Sequence, residues 1–189
     1  MTQPLESVDV LIIGAGLAGI GGACQLRRNC PNHSFMVLES RETSGGTWDL
    51  FRYPGFRSDS DMYTYCYGFK PWKDQSTIAD GHKILSYIRE AAAEYDVDQH
   101  IRYQHKVVSA NWSSTDKRWL VTAKRCVTGD GTVEQVTIAC KFLFNCSGYY
   151  DYEQGYIPKL AGMDAYKGQV FHAQHWPEGL DYGGKRVVV

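Results

Sequence analysis

The first patterned stretch, Val8-Asp9-Val10-Leu11-Ile12-Ile13, is β-branched and almost unbroken in its apolar character. That pattern predicts a strand covered on both faces, as in a parallel sheet. Leu17, Ile20, Cys24 and Leu26 then recur at helical spacing and predict a helix over residues 17–29. Cys30-Pro31-Asn32 stops it, because proline cannot continue the backbone ladder. A second apolar run over residues 34–39 completes a strand–helix–strand unit, the right-handed crossover of a doubly wound α/β sheet. Periodicity then lapses over residues 40–80 among glycines, prolines and aromatics. In a compact domain a stretch of that kind is functional or wraps a ligand.

Helical spacing returns over residues 82–95, with Ile84, Leu85, Ile88, Ala91 and Ala92 on one face. Alternating runs at 106–112, 119–125 and 133–139, with turns at 113–117 and 128–131, predict an antiparallel meander. A separate strand over 141–146 is expected to re-enter the main sheet and to close at Ser147-Gly148. Residues 149–184 read as mostly irregular, and residues 185–189 as the start of another strand. There is no internal repeat.

Composition narrows the class. At 189 residues, 43% hydrophobic and 22% charged, the chain has the make-up of a soluble globular protein with a substantial core. A formal net charge of -1 offers no long-range field to nucleic acid or anionic lipid. Arg27-Arg28 and Lys124-Arg125 read as solvated faces. None of the cysteines forms a C-x-x-C pair, so neither a zinc site nor a thioredoxin-type pair is expected, and no metal is predicted. Cys24, Cys140 and Cys146 fall within predicted elements as small hydrophobes, which fits reduced thiols in a cytoplasmic protein. The apolar region 8–24 follows Glu6 and Asp9 without a Lys or Arg, unlike a secretory signal. No apolar run reaches the ~20 residues that span a bilayer.

The candidate chemistry begins at Gly14-Ala15-Gly16-Leu17-Ala18-Gly19, a G-x-G-x-x-G pattern between a predicted strand and a predicted helix. The first glycine suits a tight turn, the second lets a pyrophosphate approach, and the third brings helix close to strand. A diphosphate there would face the N–H groups at a helix start. Glu39 follows at the end of the second strand, about 20 residues on, where a carboxylate accepts ribose hydroxyls. The acid repels a ribose 2′-phosphate, so this turn is expected to hold FAD or NAD rather than NADP.

Two further segments sharpen the reading. Gly45, Gly46, Trp48, Tyr53, Pro54, Gly55 and Asp59 form one pattern; Gly168, His172, Trp176 and Pro177 form another. Through both, the sequence resembles the Baeyer–Villiger monooxygenases, a branch of the flavin-containing monooxygenases. It departs at Tyr166, where the second signature opens with phenylalanine. The stretches 58–64 and 146–150 resemble the ethionamide-activating type within that family, which acts on ketones and on thioamide or sulfide sulfur.

The resemblance implies an α/β, Rossmann-like FAD-binding domain over residues 1–148, with a helical and aromatic insertion near 48–100 and a β-meander near 106–139. It implies an interdomain linker carrying the fingerprint over 149–184, and the first strand of an NADPH-binding domain at 185–189, the chain stopping before the rest. Gly14, Ala15, Gly16, Ala18, Gly19 and Glu39 would bind the ADP portion of FAD. Thr47, Trp48, Asp49 and Leu50 would lie along the flavin, and the Val107 backbone near the adenine. Arg57, Ser58 and Asp59 would border flavin and nicotinamide, with Asp59 positioning an arginine from the NADPH domain. His172 would act through the conformation of the linker and not as a base. The implied reaction uses NADPH, molecular oxygen and a flavin peroxide to oxidise a small ketone, sulfide or thioamide. The 189-residue chain alone is expected not to couple it.

Other readings stay open. A flavin disulfide reductase would place a cysteine pair after the Gly-Gly turn, and residues 45–59 contain no cysteine. A sulfur- or nitrogen-oxidising flavin monooxygenase without ketone activity, and a chain that binds FAD without turnover, are the remaining alternatives.

Overall fold

The computed structural model describes residues 5–126 and 132–189. One mixed sheet organises it, in the order β3-β2-β1-β6-β5-β4. The parallel part consists of β1 (Glu6–Ile13), β2 (Phe35–Leu38) and β3 (Ile101–Arg102). The antiparallel part is β4 (His105–Ser113), β5 (Arg118–Cys126) and β6 (Val133–Asn145). The predicted turn at 128–131 lies outside the described residues.

β6 corrects the sequence reading. The expected meander strand at 133–139 and the expected main-sheet strand at 141–146 are one continuous 13-residue strand, which ends before Cys146. Its first part pairs antiparallel with β5, from Val133 to Cys140, and its second part pairs parallel with β1, from Ile138 to Asn145. The hydrophobic pattern changes near Lys141 because the neighbouring strand changes there, while the backbone continues unbroken.

The helices follow the periodicity closely. α1 (Leu17–Asn29) has the predicted bounds, and the second long helix (Gly81–Glu94) starts and ends one residue early. Two one-turn helices, α2 (Thr47–Leu50) and α3 (Met62–Tyr65), interrupt the irregular stretch, which makes the long helix α4. Alternation along β1 places Val10 and Ile12 under α1 and α4, in a core with Ile20, Cys24, Ile84 and Ile88. Leu11 turns the other way, onto a second core with Leu38, Val121 and Ile138. Both faces of β1 are therefore covered, which explains its unbroken apolar run.

Residues 149–189 contain two 3₁₀ turns, Met163–Ala165 and Ala173–His175, and no strand. The strand expected over 185–189 is absent. Val187 and Val188 are exposed, and β-branched residues form a strand only where another strand lies alongside to pair with them. Among the described residues no helix is long and apolar enough to cross a membrane, and no group of His, Cys, Asp and Glu could hold a metal ion.

Candidate functional site

The site is built where β1 gives way to α1. Gly14 turns the chain at φ +97°, a region L side chains rarely adopt, and its N–H donates to the Leu38 carbonyl at 2.8 Å. A Cβ on Gly19 would overlap the Gly14 carbonyl oxygen, so the third glycine is demanded by helix–turn packing. Gly16 differs. A Cβ there would meet only Gly46 Cα, at an ordinary 3.6 Å. The protein's own packing does not require glycine at that position, and the space it leaves belongs to the cleft beside it. At the start of α1 the N-cap residue, Gly16, supplies no side-chain acceptor and the first turn carries no acid. This helix end therefore keeps its preference for an anion.

The paired glycines close the far side. Gly45 N–H donates to the Ala15 carbonyl at 2.9 Å, and Gly46, at φ +54°, passes directly against Gly16. Beside this contact opens a cleft of ≈ 440 Å³ whose walls include Gly14, Gly16, Glu39, Arg41, Gly46 and Val107. Val107 sits beside a register shift in the β4–β5 pairing. Glu39 is buried, and its carboxylate is already engaged. Oε2 accepts from Ala15 N–H at 2.7 Å, and Oε1 from Arg41 N–H at 2.9 Å and Ser40 Oγ at 3.3 Å. Each oxygen has two lone pairs, so one acceptor position, on Oε2, remains for a ribose hydroxyl at the cleft wall. The glycine at the cleft wall, the anion-favouring helix start and the carboxylate together fit the diphosphate and ribose of a dinucleotide such as FAD.

Arg41 and Tyr152 are among the wall residues that were not singled out in the sequence. Arg41 donates to Asp49 Oδ2 at 2.6 Å and to the Gly46 carbonyl at 3.4 Å, bringing a cation to the rim. Its guanidinium lies 5.8 Å from the centroid of the Tyr152 ring. Burial raises the Tyr152 phenol above its ordinary pKa, against a hydrogen bond with Thr47 that lowers it, so the group stays neutral at physiological pH. No local pattern points to either residue: Arg41 follows Glu39 by two positions without a motif of its own, and Tyr152 reaches the cleft from a distant part of the chain.

The remaining candidates do not line this cleft. Ala18 is exposed and lines an apolar groove on the other side of α1. Asp49 is buried and held by Arg41, by Arg89 at 2.8 Å and by Arg52 at 3.9 Å. Trp48 donates Nε1–H to the Tyr65 hydroxyl at 3.1 Å and stacks on Phe56 at 5.0 Å. Leu50 N–H donates to the Gly46 carbonyl at 3.0 Å, tying α2 to the glycine pair. Arg57 pairs with Asp80 through the backbone in an isolated antiparallel bridge, and Ser58 is buried with its hydroxyl donating to the Ser60 carbonyl at 2.7 Å. Asp59 is exposed, and its charge is one cause, after burial, of the raised Tyr65 pKa.

The fingerprint residues make local contacts of their own and do not line the cleft. The Tyr166 ring folds over Gly168, where a Cβ would overlap it. Trp176 meets Phe171 edge to face at 5.1 Å and Tyr182 at 5.9 Å. Pro177 accepts from Leu180 N–H at 3.3 Å. His172 Nδ1 accepts the Gln174 amide hydrogen at 3.1 Å.

Comparison with known proteins agrees with this geometry. The family model described as flavin-binding monooxygenase-like matches residues 9–189. The FAD-containing monooxygenase EthA of Mycobacterium tuberculosis (strain ATCC 25618 / H37Rv) is 51% identical over 184 residues, 97% of this chain and 36% of that protein. The probable FAD-binding monooxygenase AlmA of an Acinetobacter species is 49% identical over the same shares. Among solved structures, an oxidized steroid monooxygenase bound to NADP matches with a TM-score of 0.74 at 28% identity, covering 94% of this chain and 33% of that one. A complex of OTEMO with FAD and NADP (form 4) matches with a TM-score of 0.74 at 32% identity, covering 96% and 34%. The chain thus spans about a third of the length of these relatives. The resemblance and the α/β fold read from the sequence are borne out, and the chain belongs to the flavin-binding monooxygenase-like family.

Proposed function

We propose that this chain forms the FAD-binding part of an NADPH- and oxygen-dependent monooxygenase that oxidises a small ketone, or a sulfide or thioamide sulfur. The observation that carries the reading is the Gly16–Gly46 approach over a cleft walled by Glu39 and Arg41. Its support is the match to FAD-containing relatives across nearly the whole chain.

Bound FAD supplies the redox chemistry, taking a hydride from the nicotinamide and activating molecular oxygen. The protein's part is binding and orientation. Gly14, Gly16 and Gly19 hold the backbone in a shape that receives the diphosphate at the start of α1. Glu39 accepts a ribose hydroxyl and repels a 2′-phosphate, which directs NADPH to a different site. Val107 bounds the adenine end, and Tyr152 covers the middle of the cleft. Thr47, Trp48, Asp49 and Leu50 extend from the glycine pair toward the flavin ring, with Trp48 fixed by Tyr65 and Phe56. Arg57, Ser58 and Asp59 border the flavin and the nicotinamide, and Asp59, exposed on its turn, positions an arginine from the nicotinamide-binding part. We assign residues 1–148 to the FAD domain and 149–184 to a linker. Six free cysteines are in keeping with a reducing, cytoplasmic setting.

Titration of the purified chain with FAD, followed by quenching of flavin fluorescence, tests the binding claim. Saturable uptake and a yellow protein are expected; a folded sample that takes up no FAD overturns it. NADPH oxidation that depends on a cyclic ketone or a sulfide, with formation of the ester or sulfoxide, tests the reaction in a protein extended to the length of its relatives.

A further inference from the structure

The fingerprint loop touches the nucleotide cleft at one place, through a segment that neither signature includes. Residues 150–153 form a wall of the cleft, and the stretch 149–155 that carries them is a strap along its side. On the cleft side the Tyr152 hydroxyl lies over Gly46, with Arg41 against its ring. Toward the fingerprint segment the Asp151 carbonyl accepts from Gln174 Nε2 at 2.9 Å. Gln174 is only 7% exposed, although its neighbours Ala173 and His175 face solvent. A buried primary amide is costly unless its donors are used, so this hydrogen bond is the reason the side chain is held inward.

A second contact reinforces the first. The Gln174 backbone N–H donates to His172 Nδ1, and the imidazole lies on Gly155, which is buried and where a Cβ would overlap the ring. Within the strap, the Asp151 carboxylate accepts from Glu153 N–H at 2.9 Å and from Gln154 N–H at 3.4 Å, keeping the turn in shape. On the cleft side Tyr150 also meets Phe51 edge to face at 5.2 Å, and Tyr152 shares a hydrogen bond with Thr47. Lys106 and Glu153, by contrast, pair through side chains that are each more than half exposed, a weak restraint.

We infer that Gln174 is a positioning residue whose side-chain amide latches the strap to the fingerprint loop and so keeps the cleft closed over the diphosphate part of the dinucleotide. The inference rests on the FAD reading above. In this arrangement His172 influences the cofactor through Gly155 and the strap, with no proton transferred.

Gln174→Met removes the donor while nearly keeping the volume, and His175→Ala serves as an exposed neighbouring control. Two quantities are measured: hydrogen exchange of the backbone amides of residues 152–156 without cofactor, and the rate of FAD release after dilution. Loss of one buried hydrogen bond corresponds to a roughly three- to tenfold change in each. Both should rise in Gln174→Met and stay at the wild-type level in His175→Ala. Unchanged strap exchange in Gln174→Met overturns the latch. Raised exchange with unchanged FAD release overturns its role in retention. If the wild-type protein takes up no FAD, the functional reading and the retention role both fail, and the exchange comparison still decides whether the latch exists.

Discussion

The Glu39 carboxylate accepts the Ala15 amide hydrogen at 2.7 Å, and both residues are buried. The acid at the end of β2 therefore shapes the glycine turn before any ligand arrives. Its other oxygen accepts the Arg41 amide, so each oxygen faces a backbone donor.

Glu39→Gln is accordingly not a quiet substitution. Whichever way the amide is turned, its NH₂ opposes one of the two N–H groups. A buried donor left without an acceptor costs about 1–3 kcal/mol. For a chain of this size the melting temperature should fall by roughly 2–4 °C per kcal/mol, and FAD affinity should fall with it. A thermal melt matching the wild type would show that the turn does not depend on the carboxylate.

The three glycines of the turn should separate by mechanism. Gly19→Ala drives a methyl into the Gly14 carbonyl, and Gly14→Ala sets one 2.5 Å from the Cys146 carbonyl oxygen at positive φ. Both should destabilise the fold by about 2 kcal/mol or more. Gly16→Ala meets only an ordinary contact, so stability should change by less than about 1 kcal/mol while FAD binding drops sharply. Denaturant melts and flavin titrations on the three variants check this, and equal effects on both readouts would remove Gly16 from the binding role.

Asp49 joins segments far apart in sequence, since Arg41 and Arg89 both reach its carboxylate. Asp49→Asn leaves those arginines facing a neutral group. The cost should be about 1–3 kcal/mol, below the full figure for a buried pair because Arg89 and Arg52 are substantially exposed. Arg52→Ala, at 3.9 Å and largely in solvent, should change stability by less than about 0.5 kcal/mol. Chemical denaturation of the two variants distinguishes the contributions.

Stability should decline in alkali. Burial pushes the Cys24 thiol from its ordinary value of 9.0 up to about 11, so the folded state keeps a proton that the unfolded chain releases. The stabilisation is complete below pH 9 and is lost as pH rises toward 11. Burial likewise raises the Tyr87 phenol, to about 12, which extends the decline upward. Cys24→Ala should flatten the stability profile between pH 9 and 11, measured by denaturant midpoint at each pH. Native thiol labelling offers a companion check: exposed Cys126 should react well before buried Cys24 and Cys140.

Much of this molecule was readable along the chain. The apolar run at residues 8–13, the helical spacing from Leu17, and the two glycine segments are local signals, and β1, α1 and the turn between them follow directly. Glu39 was legible because its distance from the turn is fixed by one crossover. Tyr152 and Gln174 were not, since their partners lie far off at Gly46 and Asp151, and Arg41 was not, since its pairing with Asp49 across an irregular loop has no period to mark it.

Local pattern determined which segments could be strands or helices and where a diphosphate could meet a helix, because backbone preference and hydrophobic period act over a few residues. Only the tertiary structure decided that residues 133–145 run as one strand, since a strand's continuity depends on which neighbours flank it. It also decided that residues 185–189, equally strand-like in composition, form none, because β-branched side chains gain their advantage only beside a partner.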